Sequence, residues 1–174
     1  MADDVIKLND PDPAWPEQFI AESRAIEMAL QPLQPRIEHF GSTAVPNLPA
    51  KPIIDILIIL ADASVWPGLV SPLTKLGYLY WAENPRSDRM FFVKGMPPFG
   101  RGRSHHVHVR TPADAMAELQ FRDWLREHPD DAARYARFKR ELVERFSTDR
   151  EAYTGAKTEF VQEILLRSKD ISLQ

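Results

Sequence analysis

The chain has 174 residues, 44% of them hydrophobic and 27% charged, with a formal net charge of -3 and no cysteine. These values suit one globular domain, residues 1–174, with a core of its own, and exclude a disulfide framework, a thiol nucleophile and a cysteine-based zinc site. The acidic balance argues against a general nucleic-acid binder. No apolar run approaches the roughly 20 residues that a membrane span requires. The opening MADDVIKLNDPDP has no basic region followed by an apolar stretch, so no signal peptide is expected and the expected location is cytoplasmic.

Residues 3 to 10 read as a short extended arm. Asp12 before Pro13 predicts a helix cap with proline in the first helical position, and Trp15, Phe19, Ile26 and Leu30 recur at helical spacing to about residue 31. RIEHF, residues 36 to 40, alternates as a short strand that delivers Gly41 and Ser42. His39, beside this turn, reads as a structural hydrogen-bonding residue. A proline-rich loop ending near Lys51 leads into PIIDILIIL, whose apolar residues on both faces predict a strand covered on both sides. Alternation puts Asp55 and Leu57 on the same face. A carboxylate there is costly unless it is paired, hydrogen-bonded or metal-bound. One reading satisfies Asp55 with hydrogen bonds at the strand end. The sharper one makes this stretch a cradle for phosphate and metal. Gly41 would let backbone N–H groups approach a phosphate, Ser42 would add a hydroxyl with Thr43 a further phosphate-binding candidate, and Asp55 would hold a divalent cation.

Ala63 to Lys75 reads as a helix with Trp66, Leu69, Val70 and Leu73 on its apolar side, ended by Gly77. YLYW is expected to be a strand, and NPRSD, residues 84 to 88, a turn. MFFVKG and SHHVHVR predict two further strands joined by the long basic loop MPPFGRGR. In the second, His106, His108 and Arg110 share one face and Val107 and Val109 the other. The polar face is either solvated or contributes His106 and His108 as metal ligands, or as donors to phosphate. Asp55 with histidines would make a mixed nitrogen and oxygen site suited to manganese or zinc as well as magnesium. Lys94, Arg101 and Arg103 could clamp a polyphosphate, or simply be solvated.

From Thr111 the chain reads as helical. Thr111 before Pro112 caps a helix to about residue 127 that carries Met116, Phe121, Trp124 and Leu125. Asp130 or Asp131 is expected to cap the next, with Tyr135, Phe138, Leu142 and Phe146 as its stripe. Ser147 or Asp149 would cap a last helix to about residue 168, on which Tyr153 and Lys157 share a face. The fold class expected is α/β (α+β), a mixed sheet with flanking helices over about residues 1–111 and a helical bundle over about 112–170.

HFGSTAVPNLPAKPIIDILI closely resembles the signature of the GrpB family, as do DPAWPEQF, SHHVHVR and YTGAKTEFV, so the resemblance spans nearly the whole chain. That resemblance implies a nucleotidyltransferase superfamily fold of the polymerase-beta type. Such proteins carry a Gly-Ser, then a strand with two carboxylates, then a third acid on a later strand. Gly41, Ser42 and Asp55 match the first elements, but Leu57 stands where the second carboxylate would be, and histidines stand on the later strand. Tyr153 and Lys157 match the family's Tyr-x-x-x-Lys and would lean over the cleft, where Lys157 could meet phosphate; Lys51, Arg101, Arg103 or Lys157 would neutralise developing charge. The resemblance implies binding of a nucleotide or other phosphorylated small molecule. It further implies metal-dependent transfer of a nucleoside monophosphate from a triphosphate to a small acceptor; Asp55 and His108 are the candidate catalytic residues, with His106 or His108 completing the metal shell or acting as base. The alternative is a non-catalytic accessory domain, since the family also resembles a domain fused to dephospho-CoA kinase, which makes a partner enzyme the competing expectation.

Overall fold

The computed structural model describes residues 5–83 and 88–171. Five strands form one mixed sheet in the order β1-β2-β5-β4-β3, with β1 Arg36–Phe40, β2 Ile54–Ile59, β3 Tyr78–Tyr80, β4 Met90–Lys94 and β5 His105–Arg110. Only β2 and β5 run parallel; the other pairs are antiparallel. Helices α1 Trp15–Ala29, α2 Val70–Lys75, α3 Pro112–Glu127, α4 Pro129–Phe146, α5 Arg150–Gly155 and α6 Thr158–Ile171 flank it. No helix among the described residues is long and apolar enough to cross a membrane.

The two faces of the sheet follow from the alternation of its strands. Ile54, Ile56, Ile58, Phe92, Val107 and Val109 form the main core with Trp15, Ile26 and Leu30 of α1 and Leu73 of α2. On the other face Leu57 and Ile59 pack under Ala115 of α3, beside Phe40 and Leu119. A third cluster joins Val45 and Leu48, in the loop after Ser42, to Trp124, Tyr135, Ala136 and Phe160 of the C-terminal helices. The loop that opens with Gly41-Ser42 is thereby wedged between sheet and helices. Ile6, in the arm before α1, packs on Leu142 and Tyr153, and Asn9 bridges to Ala50.

Several element boundaries differ from the sequence reading, each for a local reason. Helix α1 starts at Trp15 with Pro16 in its first turn, because Asp12 turns the chain first by accepting from the Ala14 N–H at 2.8 Å. Residues 63–69 form a 3-10 helix that contains Pro67, and only 70–75 are α-helical. Proline supplies no N–H to an α-helical ladder. Asp130 and Asp131 do not cap α4; His128 precedes its first turn, while Asp131 accepts from the Trp124 indole and from Arg167, each at 2.8 Å. The expected last helix is two, broken at residues 156–157 after Gly155. Met116 is 55% exposed, and Ala115 takes the core position beside it. The turn expected at 84–88 lies outside the described residues except for Asp88, and so does the start of the arm.

Leu57 is 0% exposed in an apolar cluster, which tests whether a second carboxylate is tolerated beside Asp55. A charge there would be desolvated among apolar side chains, so Leu57→Asp is expected to cost about 3 kcal/mol or more. Leu57→Met, which conserves volume, should stay within about 1.5 kcal/mol of the unmodified protein in urea unfolding.

Candidate functional site

The parallel register of β2 and β5 builds the site. It sets Asp55 beside His106, Leu57 beside His108 and Ile59 beside Arg110. Asp55, His106 and His108 therefore share one face of the sheet. Asp55 Oδ1 lies 3.1 Å from His106 Nδ1. Burial alone would raise the Asp55 pKa, but the His106 hydrogen bond, the two imidazoles and Lys51 outweigh it and leave it lowered. The carboxylate retains 28% side-chain exposure, so it is reachable from the cleft. Gly41 explains itself here. Its φ is +71° and ψ -169°, and a Cβ added to it would stand 2.5 Å from Asp55 Oδ2. Only glycine lets that backbone lie against the carboxylate.

Ligand atoms of Asp55, His106 and His108 all lie within 4.8 Å of one another. The set fits a divalent cation in two respects. One carboxylate oxygen and two imidazoles suit manganese or zinc, and His106 Nε2 is buried with no hydrogen-bond partner. His108 is bound differently: Arg89 Nη1 lies 2.9 Å from its Nδ1. Burial holds the His108 pKa well below the usual histidine value, with Arg89, His106 and Arg110 adding to the effect and Asp55 opposing it. Phe91 packs edge-on against both rings, at 5.1 and 4.8 Å.

The second half of the site comes from the helices. Lys139 of α4, 1% exposed, donates to Ser42 Oγ at 3.0 Å and to the Pro49 carbonyl. Lys157 lies 4.5 Å from the Tyr153 ring centre and Lys51 5.3 Å from it. Burial pushes Lys139 down to about 7, helped by Lys157, Arg140 and Lys51. Burial and Lys51 push Lys157 down to about 8, against the pull of Asp55. Neither Lys139 nor Lys157 is ion-paired among the described residues. Ammonium groups gathered this way, beside a hydroxyl, create a local positive potential.

Other residues singled out in the sequence fall elsewhere. The Thr43 hydroxyl is committed to His39 Nε2 at 3.0 Å. His39 is buried against Phe19 and, chiefly by that burial, lowered to about 4, so it is structural. Lys94 is not at this cleft. It pairs with Glu22 of α1 at 2.7 Å and lines a separate cleft of about 430 Å³ with Lys75, Gly77 and Phe99. Strand parity puts it opposite Phe91 and Val93. Arg103 lies 5.9 Å from the Trp81 ring centre, and Trp81 packs on Phe91 at 5.7 Å, so it reaches the edge of the site face. Arg101 is exposed in the loop before β5. Arg110 is not solvated either; it is buried between Asp88 at 2.8 Å and Glu118 at 2.7 Å. Lys139 and Arg89 were missing from the sequence reading. Lys139 had a signal: it interrupts the apolar stripe of Tyr135, Leu142 and Phe146 on α4.

Comparison with known proteins adds a family and a fold. The GrpB protein family profile matches residues 5–167. A UPF0157 protein of Pseudomonas aeruginosa is 57% identical over 166 residues, which cover 95% of this chain and 69% of that protein. The dephospho-CoA kinase of Mycolicibacterium paratuberculosis is 31% identical over 189 residues, covering 95% of this chain but 46% of the kinase. Among solved structures, the conserved protein GrpB from Enterococcus faecalis superposes with a TM-score of 0.83 at 32% identity, covering 97% of this chain and 100% of that one. The Cid1 poly(U) polymerase, solved with MgATP, superposes with a TM-score of 0.55 at 12% identity over 80% of this chain and 44% of its own. That likeness is one of fold, and the fold is nucleotidyltransferase-like.

The contact between Gly41 and Asp55 can be tested directly. Gly41→Ala should cost about 1–3 kcal/mol in denaturant unfolding from backbone strain alone. It should also displace the Asp55 carboxylate and weaken manganese binding, whereas Gly155→Ala, with open space around it, should leave manganese binding unchanged.

Proposed function

We infer from the lysine cluster around Ser42 that this chain, which belongs to the GrpB family, binds a nucleoside triphosphate together with a divalent cation. The observation that carries this reading is the gathering of Lys51, Lys139 and Lys157 about Ser42 and Tyr153, with Asp55 as the nearby carboxylate. Buried ammonium groups that repel one another are stabilised by an anion of high charge density, and a triphosphate supplies one. Ser42 and the backbone at Gly41 would meet phosphate oxygens, and Lys139 and Lys157 would neutralise them. Asp55 and His106 would hold the cation, whose role when bound is to polarise the phosphoryl group. In such chemistry the protein supplies position and charge rather than covalent help. His106 and His108 hold protons at defined atoms beside the site. The MgATP-bound fold neighbour supports a nucleotide as the ligand class, and transfer of a nucleoside monophosphate to a small acceptor is the activity that follows.

A second reading keeps the binding and drops the chemistry. Leu57 is fully buried under α3 where a second carboxylate would stand, and a relative carries this domain within a dephospho-CoA kinase. On that reading the chain is a nucleotide-binding accessory domain of a partner enzyme. Turnover assays with magnesium, manganese and zinc over a panel of acceptors separate the two. Robust transfer that disappears in Asp55→Ala supports the enzyme; tight binding without turnover supports the accessory domain.

The lysines give a pH test whose sign is fixed. Both are protonated in the unfolded chain up to about 10.5, and in the fold they lose protons near 7 and 8. Between those limits the unfolded chain holds more protons, so the free protein should gain stability as pH rises from about 7 towards 10. Triphosphate binding restores the ammonium form. Calorimetry at pH 8 in buffers of different ionisation heat should therefore show proton uptake on binding inorganic triphosphate, fading towards pH 6. Lys139→Met and Lys157→Met should each weaken binding by roughly tenfold or more, the worth of one charge-assisted hydrogen bond. Binding without proton uptake, or unaffected by both substitutions, would remove the lysines from the phosphate site.

A further inference from the structure

We propose that Arg89 fixes His108 as a hydrogen-bond donor and keeps it out of the coordination sphere, leaving Asp55 and His106 as the protein ligands of the cation. The proposal refines the cation-binding reading above and rests on it for the metal, but the proton positions it assigns exist without any ligand.

The argument is one of donors and acceptors. A guanidinium carries only N–H donors, so His108 Nδ1, 2.9 Å from Arg89 Nη1, must present its lone pair. The ring is then neutral with its single proton on Nε2. His106 is set the opposite way. Its Nδ1 faces the Asp55 carboxylate at 3.1 Å, an acceptor, so Nδ1 carries the proton and Nε2 the lone pair. Two imidazoles on one strand face, with ring centres 6.4 Å apart, thus hold opposite tautomers. Their rings are confined: Phe91 lies edge-on to both, and Phe40 lies edge-on to His108 at 5.1 Å. Arg89 is itself placed by its neighbours. Its guanidinium lies 5.1 Å from the Phe91 ring centre, and the preceding Asp88 is tied to buried Arg110 at 2.8 Å.

A metal takes an imidazole nitrogen through its lone pair. His108 has spent one nitrogen on Arg89 and holds its proton on the other, so it can ligate only if Arg89 lets go. His106 needs only to carry its proton on the unpartnered Nε2 instead, which frees the Nδ1 lone pair for a cation held beside Asp55 Oδ1. Arg89 is therefore a positioning residue. It holds His108 Nε2–H as a donor suited to a phosphoryl oxygen, and it leaves a two-ligand cation site that phosphate oxygens must complete. The cation should accordingly bind far better with a nucleoside triphosphate than alone.

The test combines NMR with metal titration. Long-range ¹H–¹⁵N correlation spectra of the unmodified protein should show His108 as the Nε2–H tautomer and His106 as the Nδ1–H tautomer. Arg89→Met should change the His108 pattern and leave that of His106. Manganese titrations followed by the EPR signal of the free ion should be unaltered in His108→Ala, and weakened about tenfold or more in His106→Ala, the usual scale of a lost contribution to a metal site. Arg89→Met should tighten manganese binding, and Arg89→Met with His108→Ala should cancel that gain. His108 found as the Nδ1–H tautomer, or His108→Ala weakening manganese as much as His106→Ala, would overturn the proposal. Should a variant fail to fold, the tautomers of the unmodified protein still decide it. Tautomers as assigned in a protein that binds no nucleotide would instead overturn the nucleotide-binding reading alone.

Discussion

A carboxylate near the start of an otherwise apolar strand is the constraint on which this structure turns. Asp55 sits on β2, whose other residues are buried, and its desolvation has to be offset on the spot. Two neighbours do so in different ways. The parallel strand β5 lays His106 beside it, in a register that also aligns Leu57 with His108 and Ile59 with Arg110. The chain entering from β1 approaches its other oxygen so closely that only a glycine fits. A slip of one residue in that register would place Val107 beside Asp55 and turn both imidazoles into the main core. Positioning of the site and correctness of the sheet are the same requirement.

The helical part answers with positive charge. Lys139 crosses from α4 to Ser42 and to the Pro49 carbonyl, which pins the loop of the Gly-Ser motif from the side opposite the sheet. Val45 and Leu48 bury that loop among α3, α4 and α6, while Arg122 ties α3 to Glu38 and to the His39 carbonyl at 2.7 and 2.8 Å. A buried ammonium is costly in a protein of modest size, and Lys139 and Lys157 oppose each other's charge. The fold retains that cost at its cleft, where an arriving anion would relieve it.

The sequence made the strands and their faces legible because alternation is a local property. RIEHF, PIIDILIIL and SHHVHVR carry the pattern within six or so residues, and parity alone put His106, His108 and Asp55 on faces that the sheet then joined. The same parity, applied to MFFVK, separates Lys94 from Phe91 and Val93; the charge of Lys94 drew attention where its position should have. Thr43 was read with its motif, yet its hydroxyl serves His39. Arg89 left no local signal. It follows a turn, belongs to no periodic stretch, and matters only because β4 lies antiparallel to β5 with Phe91 facing His108. Lys139 was legible in principle, since a lysine on the apolar stripe of a helix needs a polar partner, but finding that partner 97 residues away requires the fold.

The balance of charge at the cleft says what the loss of carboxylates means. A site with several acids attracts a metal by itself and then receives the nucleotide. Here one carboxylate stands among two imidazoles, an arginine on His108 and the ammonium groups of Lys51, Lys139 and Lys157. Such a field favours a polyanion over a free dication. On the proposed function, the phosphate would arrive first or bring the cation with it, and Asp55 would anchor a metal already held by the ligand. Leu57 is consistent with this arrangement, because a second acid would cancel part of the field that draws the phosphate in. The histidines would then add a donor to a phosphoryl oxygen, from His108, and a nitrogen ligand to the cation, from His106.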